Sequence, residues 1–176
     1  LVAASEMIHN LTANQIVAVE VEKQFEEMLI LRLGLLFASS ISPTNRPQIV
    51  IEDISQSDTS IFQNVQLIVM NPPFISGIRC GDIKTIFANK IFELDGIASQ
   101  LNIGQTGLEF VFLELVVKYA SEGTVFSVIL PKRSVLSARS RDSKTIRSFL
   151  INNFGLTNIT TYPRTVWSRT NSVHLI

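Results

Sequence analysis

The sequence predicts an α/β fold, a mostly parallel sheet with helices on both faces. Short β-branched apolar stretches alternate with stretches of helical period along the chain. Each strand stops abruptly on polar, acidic or proline residues. Three of those stops, at Glu20, at Glu52-Asp53 and at Asn71, fall at carboxyl ends of strands, the edge where open α/β sheets bind ligands.

In order, Leu1 to Asn10 predicts the end of a helix, from the spacing of Leu1, Ala4 and Ile8. Asn14 lies in a turn. Ile16 to Val19 predicts a buried strand, with Glu20 and Glu22 at its exit. Lys23 to Ala38 has helical period and places Phe25, Met28, Leu29, Leu33, Leu36 and Phe37 on its apolar side. Ser39 to Arg46, marked by Pro43 and Pro47, is a loop. Gln48 to Ile51 is a strand, and Asp58 to Asn64 connects to the next one, Leu67 to Met70.

Ile75 to Thr106 is a long mixed segment with Gly77, Gly81, Gly96 and Gly104. It predicts a loop, with a helical turn over Phe87 to Leu94. Gly107 to Tyr119 is a helix. Val125 to Leu130 is a strand stopped by Pro131. Ser143 to Asn153 is a helix with Arg147 exposed. Leu156 to Tyr162 and Ser172 to Ile176 are the last strands, expected to form an antiparallel pair.

At 176 residues, one domain over 1–176 is the default. The chain is 46% hydrophobic and 17% charged, enough for a sizeable core and without a disorder signature. No apolar run approaches the roughly 20 residues that span a bilayer, so no membrane partner is expected. A single cysteine, Cys80, excludes an internal disulfide and fits a cytoplasmic protein. His9 and His174 are far apart and suggest no metal site. The chain opens without Met or a charged leader and reads as entered partway. The net charge of zero hides an asymmetry: 6 basic against 13 acidic residues in 1–117, and 9 against 2 in 118–176. A basic half suggests a polyanion on one side.

Leu67-Ile68-Val69-Met70-Asn71-Pro72-Pro73-Phe74 carries the chemistry. Two prolines end the strand and hold the backbone open. Asn71 offers a donor and an acceptor, the Pro72 carbonyl a second acceptor, and Phe74 a flat apolar face. Those groups suit a planar ring that bears an amine. A carboxylate at a strand end, as at Glu20 or Asp53, accepts two hydrogen bonds and suits a ribose diol.

The run Asn71-Pro72-Pro73-Phe74 resembles motif IV of the S-adenosylmethionine-dependent amino-methyltransferases, above all the DNA adenine-N6 methylases of restriction-modification systems. Val17 to Glu22 looks like motif II, which implies that Glu20 holds the cofactor ribose. Glu52-Asp53-Ile54 looks like motif III, which implies that Asp53, flanked by Ile54, meets the cofactor adenine. Phe110 to Glu114 resembles motif V and assigns Phe112 to pack beside that adenine; ordinary helix packing would account for Phe112 equally well. Pro131 and the Lys132 to Ser137 stretch after it are similar to a stretch following strand five in this family. The resemblance implies a class I methyltransferase fold, Rossmann-like, with an antiparallel C-terminal strand pair and residues 75–106 as an active-site insertion. It implies S-adenosylmethionine as cofactor, with Asn71 beside it as well as Glu20, Asp53, Ile54 and Phe112. The expected partners are double-stranded DNA with a flipped adenine and a target recognition domain or specificity subunit. Motif I and the first strand are missing from the chain, so it is expected to be part of a catalytic domain. The same tetrapeptide serves enzymes that methylate RNA or a protein glutamine, and a non-catalytic methylase-like module also stays open.

Overall fold

In the computed structural model of the protein, residues 11–75, 80–137, 141–162 and 174–175 are described. The chain forms two compact units, Leu1–Ile61 and Phe62–Ile176. The helix end expected over Leu1 to Asn10, with His9, lies outside the described residues. So do Gly77 and most of Ser172 to Ile176.

In the first unit, strand β1 (Val17–Glu20) runs parallel to β2 (Gln48–Ile51), with Val17 opposite Gln48 and Glu20 opposite Ile51. Parallel neighbours need a crossover, and a helix supplies it. A 3-10 turn over Lys23–Phe25 leads into α1 (Glu26–Leu36). Glu26 and Glu27 in the first turn suit the positive end of the helix dipole, and Lys23 pairs with Glu26. The helix was expected over Lys23 to Ala38 with one apolar side. Only part of that side is covered: Leu33 and Phe37 are buried with Ala13, Ile16 and Ala18, while Phe25 and Met28 are exposed. Ile30, Leu31 and Leu35 are exposed too. A helix reading Leu-Ile-Leu-Arg-Leu-Gly-Leu-Leu is apolar nearly all round, so period alone does not select its buried face.

In the second unit, β3 (Leu67–Met70) runs parallel to β4 (Val125–Val128), with Leu67 opposite Val125 and Met70 opposite Val128. Between them come α2 (Gly81–Asp95) and α3 (Leu108–Tyr119), which pack together. A long helix thus stands where a loop with one helical turn was expected. Its buried residues, Lys84, Phe87 and Ile91, follow the i, i+3, i+7 stripe, but the stripe carries a lysine and apolar residues also occur outside it.

β4 leads to β5 (Leu130–Pro131), α4 (Lys132–Leu136), α5 (Arg141–Phe154) and β6 (His174–Leu175). Leu101, Phe110, Leu113, Leu130, Val135, Ile146, Phe149 and Leu150 form the core. The expected antiparallel pair is corrected in one partner: β6 pairs with β5, Leu130 opposite Leu175, and of Leu156 to Tyr162 only Thr161 makes a single β-bridge, the rest of the stretch forming no strand. Gly155 takes the left-handed conformation (φ 56°) after α5, and the Leu156 N–H donates to the Leu150 carbonyl at 3.3 Å. That is the pattern of a helix stop. Thr157 to Thr161 are then exposed, so no apolar face is buried to stabilise a strand.

The architecture is therefore mixed α/β, with short parallel sheets and helices. Among the described residues the sheet is not continuous: β1–β2, β3–β4 and β5–β6 are separate two-stranded ladders. No helix of the described residues is long and apolar enough to cross a membrane.

Candidate functional site

The candidate residues divide between the units, Glu20, Asp53 and Ile54 in the first, Asn71 to Phe74 and Phe112 in the second. In the first unit, the ladder continues past its last pair as the Glu52 N–H donates to the Glu20 carbonyl at 3.0 Å. Glu20 and Asp53 thus stand at the same carboxyl edge. Oε1 of Glu20 accepts from the amides of Val21 (2.9 Å) and Glu22 (3.1 Å). Oδ1 of Asp53 accepts from the Ser55 amide (2.8 Å) and hydroxyl (2.7 Å). Each carboxylate is aimed by its own turn through one oxygen, and no described residue donates to the other oxygen. Ile54 is buried beside Asp53. The remaining lone pairs fit a diol or an exocyclic amine, and the turns need no ligand to hold them.

In the second unit, the Ile129 N–H donates to the Met70 carbonyl at 3.0 Å, the last bond between the parallel strands' exits. Asn71 follows directly. It is exposed, and among the described residues nothing bonds its carboxamide or donates to the Pro72 carbonyl. Pro72 is buried and anchors the turn; Pro73 is exposed and its carbonyl accepts from the Ile75 N–H at 3.2 Å. Phe74 is 40% exposed and leaves part of its ring accessible. The Leu108 N–H, at the start of α3, donates to the Ile75 carbonyl at 3.2 Å, tying the Asn-Pro-Pro-Phe turn to that helix.

Phe112 is half-buried, its ring 5.8 Å from that of Phe87 on α2. Arg147 differs from expectation. Its Nη1 donates to the carbonyls of Val135 (2.6 Å) and Ser137 (3.4 Å), so it closes the end of α4 and is half-buried. Arg133 is exposed and Lys132 half-buried.

Sequence reasoning missed three buried charges on α2 and α3. Lys84, 1% exposed, donates from Nζ to the carbonyls of Ile103 and Thr106. Glu114 accepts from the Ser99 hydroxyl (2.5 Å) and the Gln100 amide (3.2 Å). These charges pin residues 99–106, part of the segment expected as a loop. Glu109 folds its carboxylate over Gly107, so a Cβ there would clash with its oxygens. Burial pushes the Glu109 carboxyl above its ordinary value; its own backbone N–H and the Lys84 ammonium act against that rise. The available signal was a lysine in register with Phe87 and Ile91, and two glutamates among the apolar residues of a helix whose other charge, Lys118, lies in its last turn.

A testable sign follows for Glu109. Its folded pKa stands above the unfolded value near 4.5. As pH rises through 4.5, the unfolded chain loses this proton first, so the group's contribution to stability falls until the folded pKa is passed. Glu109→Gln is expected to remove that fall and to melt higher than the parent at pH 7, measured by thermal melts from pH 4 to 8.

A cavity of about 460 Å³ lies elsewhere in the second unit, along β4 and residues 154–160. Among the described residues it is lined by no charged side chain and by none of the candidate residues. Among the described residues no group of three or more His, Cys, Asp or Glu could hold a metal.

No protein-family model and no curated protein matches the chain. Solved structures do. The chain is similar to the type IIG restriction endonuclease BpuSI at 40% identity and a TM-score of 0.89, over 99% of this chain and 20% of that one. It is also similar to a protein described as a modification subunit of a type I restriction enzyme from Vibrio vulnificus YJ016. That match has 20% identity and a TM-score of 0.56, over 91% of this chain and 31% of that one, and shows a shared fold. The chain therefore spans a fifth of the first neighbour's length and under a third of the second's.

Proposed function

We propose that the chain is part of a DNA methyltransferase of a restriction-modification system, one that transfers a methyl group from S-adenosylmethionine to the N6 amine of adenine. The observation that carries this reading is the open turn at the end of β3: an exposed Asn71 and a Pro72 carbonyl that no described residue bonds, and a partly exposed Phe74 ring, backed by buried Pro72 and the tie to α3. The likeness to restriction enzymes, one of them described as a modification subunit, supports it.

The adenine amine is a weak nucleophile because its lone pair is delocalised into the ring. Asn71 Oδ1 and the Pro72 carbonyl accept its two hydrogens and favour a pyramidal nitrogen with a directed lone pair. Phe74 stacks on the base and holds its plane. A duplex hides this amine, so the base must first be flipped out, at a cost of a few kcal/mol. Stacking on Phe74 returns about 1–3 kcal/mol of that. S-adenosylmethionine, when bound, supplies the electrophilic methyl. On this reading the open oxygens of Glu20 and Asp53 face its ribose and adenine amine, and Ile54 and Phe112 its apolar surface. The chemistry is then alignment and electrostatic stabilisation, with no general base needed before transfer.

The test is product identity. The full-length protein is incubated with duplex DNA and S-adenosylmethionine tritiated in its methyl group, and the DNA is digested to nucleosides. Label is expected in N6-methyladenosine of the deoxy series. Label confined to cytosine, to RNA or to protein would overturn the substrate assignment, and no label anywhere would overturn the activity.

A further inference from the structure

We infer that Lys84 is a positioning residue for the Asn71 to Phe74 turn, an inference that rests on the function proposed above. Lys84 lies on α2, away from the turn in sequence, and is 1% exposed. Burying an ammonium is unfavourable unless its geometry and hydrogen bonds are good, and a well-packed apolar side chain often serves stability as well or better. What the charge supplies here is a fixed arrangement. Nζ draws in the carbonyls of Ile103 and Thr106 (3.1 Å for the latter). Between those residues the chain is already wound tightly, the Gln105 and Thr106 amides both donating to Asn102 (3.0 and 2.8 Å).

Thr106 is the last residue before the entrance to α3. Gly107 caps the helix, and Glu109 closes over it so tightly that no Cβ fits without displacing a buried carboxylate. Leu108 follows, and its N–H holds the Ile75 carbonyl, one residue after Phe74. Each step from the lysine to the turn is a hydrogen bond or one to two residues of chain: Lys84, Thr106, Gly107, Leu108, Ile75, Phe74. Lys84 thus fixes where the α3 entrance stands, and the entrance fixes the turn. It touches no substrate atom on this account and acts through Ile75.

The experiment uses Lys84→Met in the full-length protein, which keeps the apolar stem and removes the donors. The expected result has three parts. Cofactor Kd stays within twofold of the parent, kcat for methyl transfer falls about 10- to 100-fold as expected for misplaced reacting groups, and hydrogen exchange at the Leu108 amide, read by mass spectrometry on a peptide spanning it, speeds at least tenfold. A folded Lys84→Met protein with parental kcat and parental Leu108 exchange overturns the inference. Should Lys84→Met fail to fold, Gly107→Ala perturbs the same link from the other side, and parental kcat and exchange in that variant overturn it equally. The exchange result does not depend on the reaction. If Asn71→Ala retains full methyl transfer, the reading of the turn fails, while Leu108 exchange still decides whether Lys84 holds the helix entrance.

Discussion

Replacing Asn71 with Ala is expected to lower kcat for methyl transfer by about 10²–10³-fold, the loss typical of a preorganised group that acts on charge developing in the transition state. The structure makes this a clean experiment. Asn71 is exposed and bonds no described residue, so its truncation removes no packing and should change stability by less than about 0.5 kcal/mol. Its place after the last ladder residue, held between the strand exit and buried Pro72, leaves the backbone of the turn in position without the side chain. Cofactor Kd, measured by calorimetry, should stay near the parental value, because on the proposed mechanism Asn71 orients the amine. Near-parental kcat in the variant would remove Asn71 from the mechanism. A matched loss of cofactor binding would move it to the cofactor side.

What could be read from the sequence was whatever punctuation chemistry marks. β2 spans Gln48–Ile51 and β3 spans Leu67–Met70, as expected, because Pro47 precedes one and Asn-Pro-Pro follows the other. The Asn-Pro-Pro-Phe turn was legible for the same reason. α2 was not. Its sequence mixes Ile83, Ile86 and Phe92, all exposed, with Phe87 and Ile91, which are buried, and its third buried position is a lysine. A period count treats lysine as a surface residue, since lysine is almost never buried without partners. Here the partners are backbone carbonyls of Ile103 and Thr106, which no periodicity reveals. Arg147 was misread as exposed for the same cause: its carbonyl partners Val135 and Ser137 lie on another element. The segment Leu156 to Tyr162 has strand-like composition, but Gly155 turns the chain out of α5 and leaves most of the stretch exposed. Propensity proposes such a strand, and burial decides it.

Variants of Phe110 and Phe112 test stability and the proposed cofactor contact separately on one helix. Phe110 is wholly buried among Leu101, Leu113, Leu130 and Val135, so Phe110→Ala should cost about 3–5 kcal/mol through lost transfer and an unfilled cavity. Against a typical total of about 5–15 kcal/mol, that brings the fold close to its limit. The denaturant midpoint should drop sharply at unchanged slope, which marks a change in stability alone. Phe112 is only half-buried, and its ring meets one described partner ring, Phe87, at 5.8 Å. Loss of that pair is worth about 0.5–1.5 kcal/mol beyond the area exposed, so Phe112→Ala should shift the midpoint much less than Phe110→Ala. If the exposed part of Phe112 packs against the cofactor adenine, the same variant should weaken S-adenosylmethionine binding by about 1–3 kcal/mol, the scale of base stacking on an aromatic ring. A Phe112→Ala protein with parental cofactor Kd and only a stability loss would assign Phe112 to holding α3 on α2, and the adenine contact would have to be sought on another side chain.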